Sequence, residues 1–146
     1  MRYLAKISGL YPDDPILAAR VDAAMDQETD AFMGPTVAKY SERFGIALDE
    51  EAKGKSCNVI ASEVMPRHLA MVERLLQESP TGWIAGTEEP SPADFMWYCR
   101  FVYYLSEFEA FSERLRSLED YPCCKQFVNK VASLNAVKDY YANKSE

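Results

Sequence analysis

A chain of 146 residues, 48% hydrophobic and 12% aromatic, has the length of one domain and enough apolar side chains for a real core. Its net charge of −7 argues against nucleic acid as a partner, since a phosphate-binding surface needs a basic patch. No apolar run approaches a membrane span and no secretory h-region follows Met1-Arg2, so a cytoplasmic protein without membrane contact is expected.

Residues 2–8 read as a short helix with Tyr3, Leu4 and Ile7 on one side, ended by Gly9 and the turn cluster Tyr11-Pro12-Asp13-Asp14-Pro15. Asp14 is the expected N-cap of the next helix, with Pro15 at its first position. From Pro15 to about Met33 the apolar spacing is helical. Asp22, Asp26 and Asp30 recur every four residues, which puts them on one face. That stripe is either a solvated acidic face or a set of carboxylates of which one waits for a cation. Gly34-Pro35 is expected to interrupt or kink the helix. Thr36 to Phe44 then resumes it, with Val37 and Tyr40 inward.

Ile46 to Ser56 is polar and reads as a loop. Val59 to Met65 is helical in spacing, Pro66 breaks or restarts the helix, and Leu69, Met71 or Val72, Leu75 and Leu76 carry it to about Gln77. After Ser79-Pro80-Thr81-Gly82 comes the strongest local signal in the chain. Ser91 reads as an N-cap, Pro92 as the first helical residue, and Asp94 as the third, so Ser91 and Asp94 form a capping box. Phe95 to Leu105 is apolar nearly all round, the pattern of a buried helix. Phe108 to Leu118 reads as a loop with a short turn. Tyr121-Pro122 starts a helix from Cys123 to about Ser133, and Asn135 separates it from a last helix carrying Val137, Tyr140 and Tyr141. No period-2 pattern is long enough for a strand. The fold class is therefore all-α, a bundle or orthogonal array of five to seven helices.

Little conventional chemistry is encoded. The chain has one histidine, His68, which reads as a surface or capping residue. No phosphate-binding glycine loop and no His/Cys metal spacing occur, so no metal is expected. The four cysteines, Cys57, Cys99, Cys123 and Cys124, are expected as thiols. Cys99, inside the apolar helix, should be buried and inert. Cys123 or Cys124, near a helix N-terminus, is the candidate for higher reactivity.

Three blocks resemble the helical C-terminal domain of cytosolic glutathione transferases, in a pattern most like the sigma type. They are Tyr3-Leu4-Ala5 with Gly9-Leu10-Tyr11-Pro12; Val21-Asp22, Asp26 and Asp30-Ala31-Phe32-Met33; and Trp83 through Asp94 into Phe95-Met96-Trp97. Tyr121-Pro122 through Leu134, Val137-Lys138 and Tyr140 resembles the family's usual ending. The same helical domain occurs in translation-factor subunits, synthetase-associated proteins and chloride-channel-like relatives. The resemblance implies that residues 1–11 are the last turns of a thioredoxin-like domain plus linker, and that 12–146 is the helical domain. It makes Ser91 and Asp94 structural. It also implies that the glutathione-binding domain, with the family's catalytic residue, has no counterpart here.

Two partial sites follow from the resemblance. Asp30 matches the aspartate that reaches across a dimer to the ammonium of the partner's glutathione, the co-substrate. Met33, Val37, Met96 and Arg100 fall where the family places the wall of its electrophile pocket. The implied function is conjugation of glutathione to apolar electrophiles, as a homodimer, with a thioredoxin-like domain lowering the thiol pKa. The other expectation is a non-catalytic interaction module whose exposed apolar face docks on another protein. A helical ligand carrier rests on the apolar pocket alone.

Overall fold

Asp94 organises the approach to the central helix. Its carboxylate accepts the backbone N–H of Ser91 at 2.7 Å, the Ser91 hydroxyl at 2.7 Å and, across the preceding turn, the backbone N–H of Ile84 at 2.9 Å. The expected capping box is present, and Asp94 and Ser91 are both buried. Burial raises the pKa of Asp94 above the ordinary carboxylate value, against the lowering effect of these donors and of nearby Lys130. Lys130 lies 3.5 Å over the Trp83 ring and donates to the Thr81 carbonyl at 2.6 Å, pinning the same turn from the other side. Gly82 adopts φ +73° there, and a Cβ would stand 3.4 Å from the Lys130 ammonium.

The structure, a computed structural model, describes residues 1–144, so the last two positions of the span 12–146 lie outside the described residues. Its α-helical elements are α1 (Arg2–Ile7), α2 (Pro15–Lys39), α3 (Glu50–Val59), α4 (Met65–Glu78), α5 (Pro92–Cys99), α6 (Leu105–Glu107), α7 (Glu113–Arg116), α8 (Pro122–Ala132) and α9 (Asn135–Lys144). A single wide turn, Ile60–Val64, joins α3 to α4, and a second, Arg100–Tyr104, joins α5 to α6. Counted with those joins, the described residues form seven helices, and no strand occurs among them. The all-α bundle expected from the spacing is the observed fold.

Trp97 of α5 sits at the centre, fully buried. Its indole N–H donates to the Ala24 carbonyl of α2 at 2.9 Å. Its ring meets Phe32 edge-on at 6.0 Å and Phe101 at 5.4 Å, and Phe101 in turn meets Phe127 of α8 at 6.3 Å. Val21 and Met25 of α2, Met65, Leu69 and Val72 of α4, and Val131 of α8 close the core around it.

Several local expectations are corrected. Gly34-Pro35 does not interrupt α2, which runs unbroken through Pro35 to Lys39. Gly34 faces the α3–α4 turn: a Cβ there would stand 3.5 Å from Ile60 Cγ1, an ordinary contact distance. The chain leaves α2 at Tyr40, and Ser41–Phe44 is a 3₁₀ turn ended by Gly45 at φ +69°.

Ile46 to Ser56 is not all loop. Asp49 accepts the N–H of Ala52 at 2.7 Å and starts α3 at Glu50. That helix buries no residue, so it has no apolar stripe to betray it. Its sequence signals are Asp49 as N-cap with Glu50 and Glu51 in the first turn. At Pro66 the helix restarts, as one of the two expected outcomes: Pro66 lies in the first turn of α4, and the wide turn Ile60–Val64 joins it to α3 without a loop. Finally, the helix from Phe95 is not buried all round: Phe95 and Met96 are half-buried, and Cys99 and Tyr103 are exposed.

Candidate functional site

Helix α2 and the helix through α5 face one another along a seam, and the sequence-predicted pocket residues lie on these two elements. Glu28, in the inward-facing series Val21, Ala24, Met25, Glu28, Phe32, is 1% exposed. Its carboxylate accepts the Arg100 guanidinium Nε–H. The guanidinium carbon lies 5.1 Å from the Phe32 ring centroid and 4.9 Å from that of Tyr104. The Thr36 hydroxyl donates to the Phe32 carbonyl at 2.6 Å, so the Tyr104 hydroxyl, 3.0 Å away, donates to Thr36. Arg100 therefore neutralises a buried acid and lies within cation–π reach of two rings.

Sequence reasoning missed Glu28. The available signal was an acid on the apolar stripe of α2, which demands a partner from another element. Met33 is 55% exposed on α2, whereas Met25 and Met65 are in the core. Val37, one turn further on, and Met96, one turn before Arg100, are half-buried. Met33 is therefore no plain core residue, and the packing of α2 on α5 places all four predicted positions on two adjacent helices.

The acidic stripe divides. Arg2 of α1 donates to Asp22 from Nε and to Asp26 from Nη2, both at 2.5 Å, which ties α1 to α2 and lowers the pKa of Asp22 below the ordinary range. Asp30 is exposed and outside that clamp. It acts electrostatically on His68 of α4. His68 is half-buried and shares a 2.6 Å hydrogen bond with the Gln27 amide through Nδ1, so it links α4 to α2 instead of capping a helix. Burial lowers its pKa, and the negative charge of Asp30 partly opposes this.

The cysteines differ from expectation. Cys99 is exposed, although the protein around it still desolvates the thiol enough to raise its pKa. Cys124 is buried, and desolvation together with the neighbouring Glu73 carboxylate raises its pKa strongly; Cys123 is raised by the same causes. Neither is an activated thiol. An apolar groove of about 380 Å³ runs between α5 and α9, lined by Phe95, Tyr98, Cys99, Tyr103, Val137 and Tyr140 among others. Among the described residues no cluster of three His, Cys, Asp or Glu is placed to hold a metal ion, and no helix is long and apolar enough to cross a membrane.

The architecture recurs in solved structures. Rat hPGDS complexed with a quinoline superposes with a TM-score of 0.73 at 21% identity, covering 97% of this chain and 63% of that one. NaGST1, in a C-orthorhombic crystal, superposes with a TM-score of 0.73 at 21% identity, covering 99% of this chain and 66% of that one. The chain thus spans just under two thirds of each, and at this identity the likeness is one of fold. A comparison with curated protein sequences gave no match. The sequence model for the glutathione S-transferase C-terminal domain matches residues 40–144. With most of its length matched, the chain belongs to the glutathione S-transferase C-terminal domain family.

Proposed function

We propose that the chain supplies the helical half of a glutathione-conjugating site. Met33, Val37, Met96 and Arg100 form the wall on which an apolar electrophile rests. Glutathione, the co-substrate, is held by a thioredoxin-like domain, which also stabilises the attacking thiolate. The observation that carries this reading is the packing of α2 on α5, with Met33 55% exposed and Val37 and Met96 only half-buried on these two adjacent helices. Unbranched methionines suit a pocket that adapts to varied apolar substrates. Asp30, exposed and outside the Arg2 clamp, is the carboxylate of the stripe able to reach the glutathione ammonium of a second subunit in a homodimer.

A second reading is a non-catalytic interaction module. It is favoured by α1, where Tyr3, Leu4 and Ile7 are 74%, 60% and 66% exposed. On the first reading that face receives the thioredoxin-like domain; on the second, another protein.

The chain is assayed for retention on immobilised glutathione and for conjugation of a chlorodinitrobenzene, alone and mixed with the thioredoxin-like domain of a sigma-type transferase. Conjugation in the mixture is expected. Val37→Ala and Met96→Ala should raise KM for the halide while leaving KM for glutathione unchanged. A complex that forms without turnover would favour the interaction module. Turnover indifferent to both substitutions would remove the pocket assignment.

A further inference from the structure

Helix α3 buries no residue, but Ala52, Lys53, Ser56 and Cys57 make one face of it half-buried. A cavity of about 290 Å³ lies there, between the end of α2, α3 and the loop 108–110, and none of Glu28, Phe32, Met33, Val37, Met96 or Arg100 lines it. Ala38 of α2 with Phe108 and Ala110 of the loop give it apolar walls, while Lys53 and Cys57 bring an amine and a thiol. Its size is at the lower end of small-molecule sites, roughly 300–1,000 Å³, which suits a short ligand.

Lys53 has no ion pair or side-chain hydrogen bond among the described residues, although it is half-buried. Lys55 is the contrast on the same helix. It is exposed, donates to Glu51 at 2.6 Å and is followed four residues on by Val59. Lys53 is followed four residues on by Cys57. Residues so spaced share one helix face, with Cβ atoms about 5–6 Å apart. Helical side chains lean toward the N-terminus, so Cys57 leans over the turn that carries Lys53. The four-carbon stem of a lysine then lets its amine reach a group held on the sulfur.

We propose that Lys53 is a modification site, acylated from a short-chain acyl thioester by way of Cys57. The Cys57 thiolate attacks the thioester carbonyl, the bond to the carrier sulfur breaks, and the carrier leaves as a thiol with the proton that Cys57 gave up. The neutral Lys53 amine then attacks the carbonyl on Cys57. A C–N bond forms, the C–S bond breaks, and the amine proton returns to the Cys57 sulfur. The products are an amide on Lys53 and a restored thiol, with no oxidant or reductant. Proximity is what favours the second step, since the acyl group is presented to one amine at a high effective concentration. Ala38, Phe108 and Ala110 receive the acyl chain. The product removes an unpaired ammonium from the half-buried face of α3. No glutathione is involved, so the site is independent of the function proposed above.

Incubation of the full chain with acetyl-coenzyme A, followed by peptide mass mapping, tests the relay. Direct acetylation from solution would favour Lys55, whose side chain is 73% exposed. The relay reverses that order, and Lys53 should be acetylated at least about tenfold faster than Lys55. Cys57→Ser should abolish the advantage and leave Lys55 unchanged. Lys53→Arg should leave the acetyl group on Cys57, where hydroxylamine removes it, whereas the amide on Lys53 of the parent chain resists hydroxylamine. Because α3 buries no residue, neither substitution should disturb the fold, which circular dichroism checks. Acetylation of Lys53 no faster than that of Lys55 would overturn the proposal. So would a Lys53 rate indifferent to Cys57→Ser, or the absence of the Cys57 thioester in Lys53→Arg.

Discussion

Glu73 Oε2 accepts the backbone N–H of Cys124 at 2.9 Å, so a side chain of α4 caps α8 across 51 residues of sequence. Oε1 of the same carboxylate takes the N–H of Cys123, also at 2.9 Å. Tyr121, at the N-cap position of α8, provides no side-chain cap of its own. Two of the orphan donors at that helix start are thus met by a residue from elsewhere in the fold. The arrangement also explains why Cys123 and Cys124 are not activated: the helix N-terminus that would favour a thiolate already holds a carboxylate.

Replacing Glu73 by Gln should destabilise the fold by about 1–3 kcal/mol at neutral pH, measured by urea unfolding, because charged acceptors at buried N–H groups are the stronger ones. Burial raises the Glu73 pKa, but the two N–H bonds and the thiols outweigh it, and the net shift is downward. The sign follows directly. A lowered folded pKa gives stability that is full above the unfolded value, about 4.3, and is lost as pH falls through the folded value. The Gln variant should therefore lose part of the acid-induced drop in stability, and its Cys123 should alkylate faster than in the parent chain.

Asp94→Ala should cost about 2–4 kcal/mol, since it strips partners from the N–H groups of Ile84 and Ser91 and from the Ser91 hydroxyl, in a buried place. Ser91→Ala removes only one of these contacts and should cost about 1 kcal/mol. Equal losses in thermal or urea unfolding would show that the link to Ile84 contributes nothing. Asp94 works opposite to Glu73 in pH. Its folded pKa is raised by burial, so its contribution is full below the unfolded value and falls as pH rises through the folded one.

Arg100→Met leaves the buried Glu28 charge without its partner and should destabilise by about 3–5 kcal/mol. Adding Glu28→Gln should restore a substantial share, which a double-mutant cycle would measure as coupling. Arg100→Lys keeps the charge but not the guanidinium that reaches both Phe32 and Tyr104, and should fall between the parent and Arg100→Met. Additive single effects would mean that Arg100 does not act through Glu28.

Arg2→Gln should lower global stability by less than about 1 kcal/mol, because Arg2 and Asp26 are exposed and Asp22 is partly so. Its larger effect should be local. Amide hydrogen exchange over residues 2–8 should quicken as α1 loses its tie to α2, and high salt should reproduce part of this in the parent chain.

The elements legible in the sequence are those governed by neighbours three or four residues away. Asp14 accepts the N–H of Ile16 at 2.9 Å and of Leu17 at 2.8 Å, as its place before Pro15 announces. The Ser91–Asp94 box was legible for the same reason. The apolar spacing of α4 and α8 likewise locates their inward faces, since a helix must bury a stripe at its own period. Helix α3 escaped because it buries nothing, so only its Asp49 cap and the acids Glu50 and Glu51 marked it.

The tertiary structure alone decided what the polar residues do. Glu28 finds Arg100 across 72 residues, Arg2 finds Asp22 and Asp26 from 20 and 24 away, and Asp94 reaches Ile84 as well as its own helix start. No local pattern encodes these pairs, because a buried charge specifies only that it needs a partner and not which element supplies it. By itself the sequence determined an all-helical bundle with a capped central helix. The packing of those helices determined that two carboxylates of the acidic stripe are tied to α1, that Asp30 is left exposed, and that Arg100 is anchored to a buried acid.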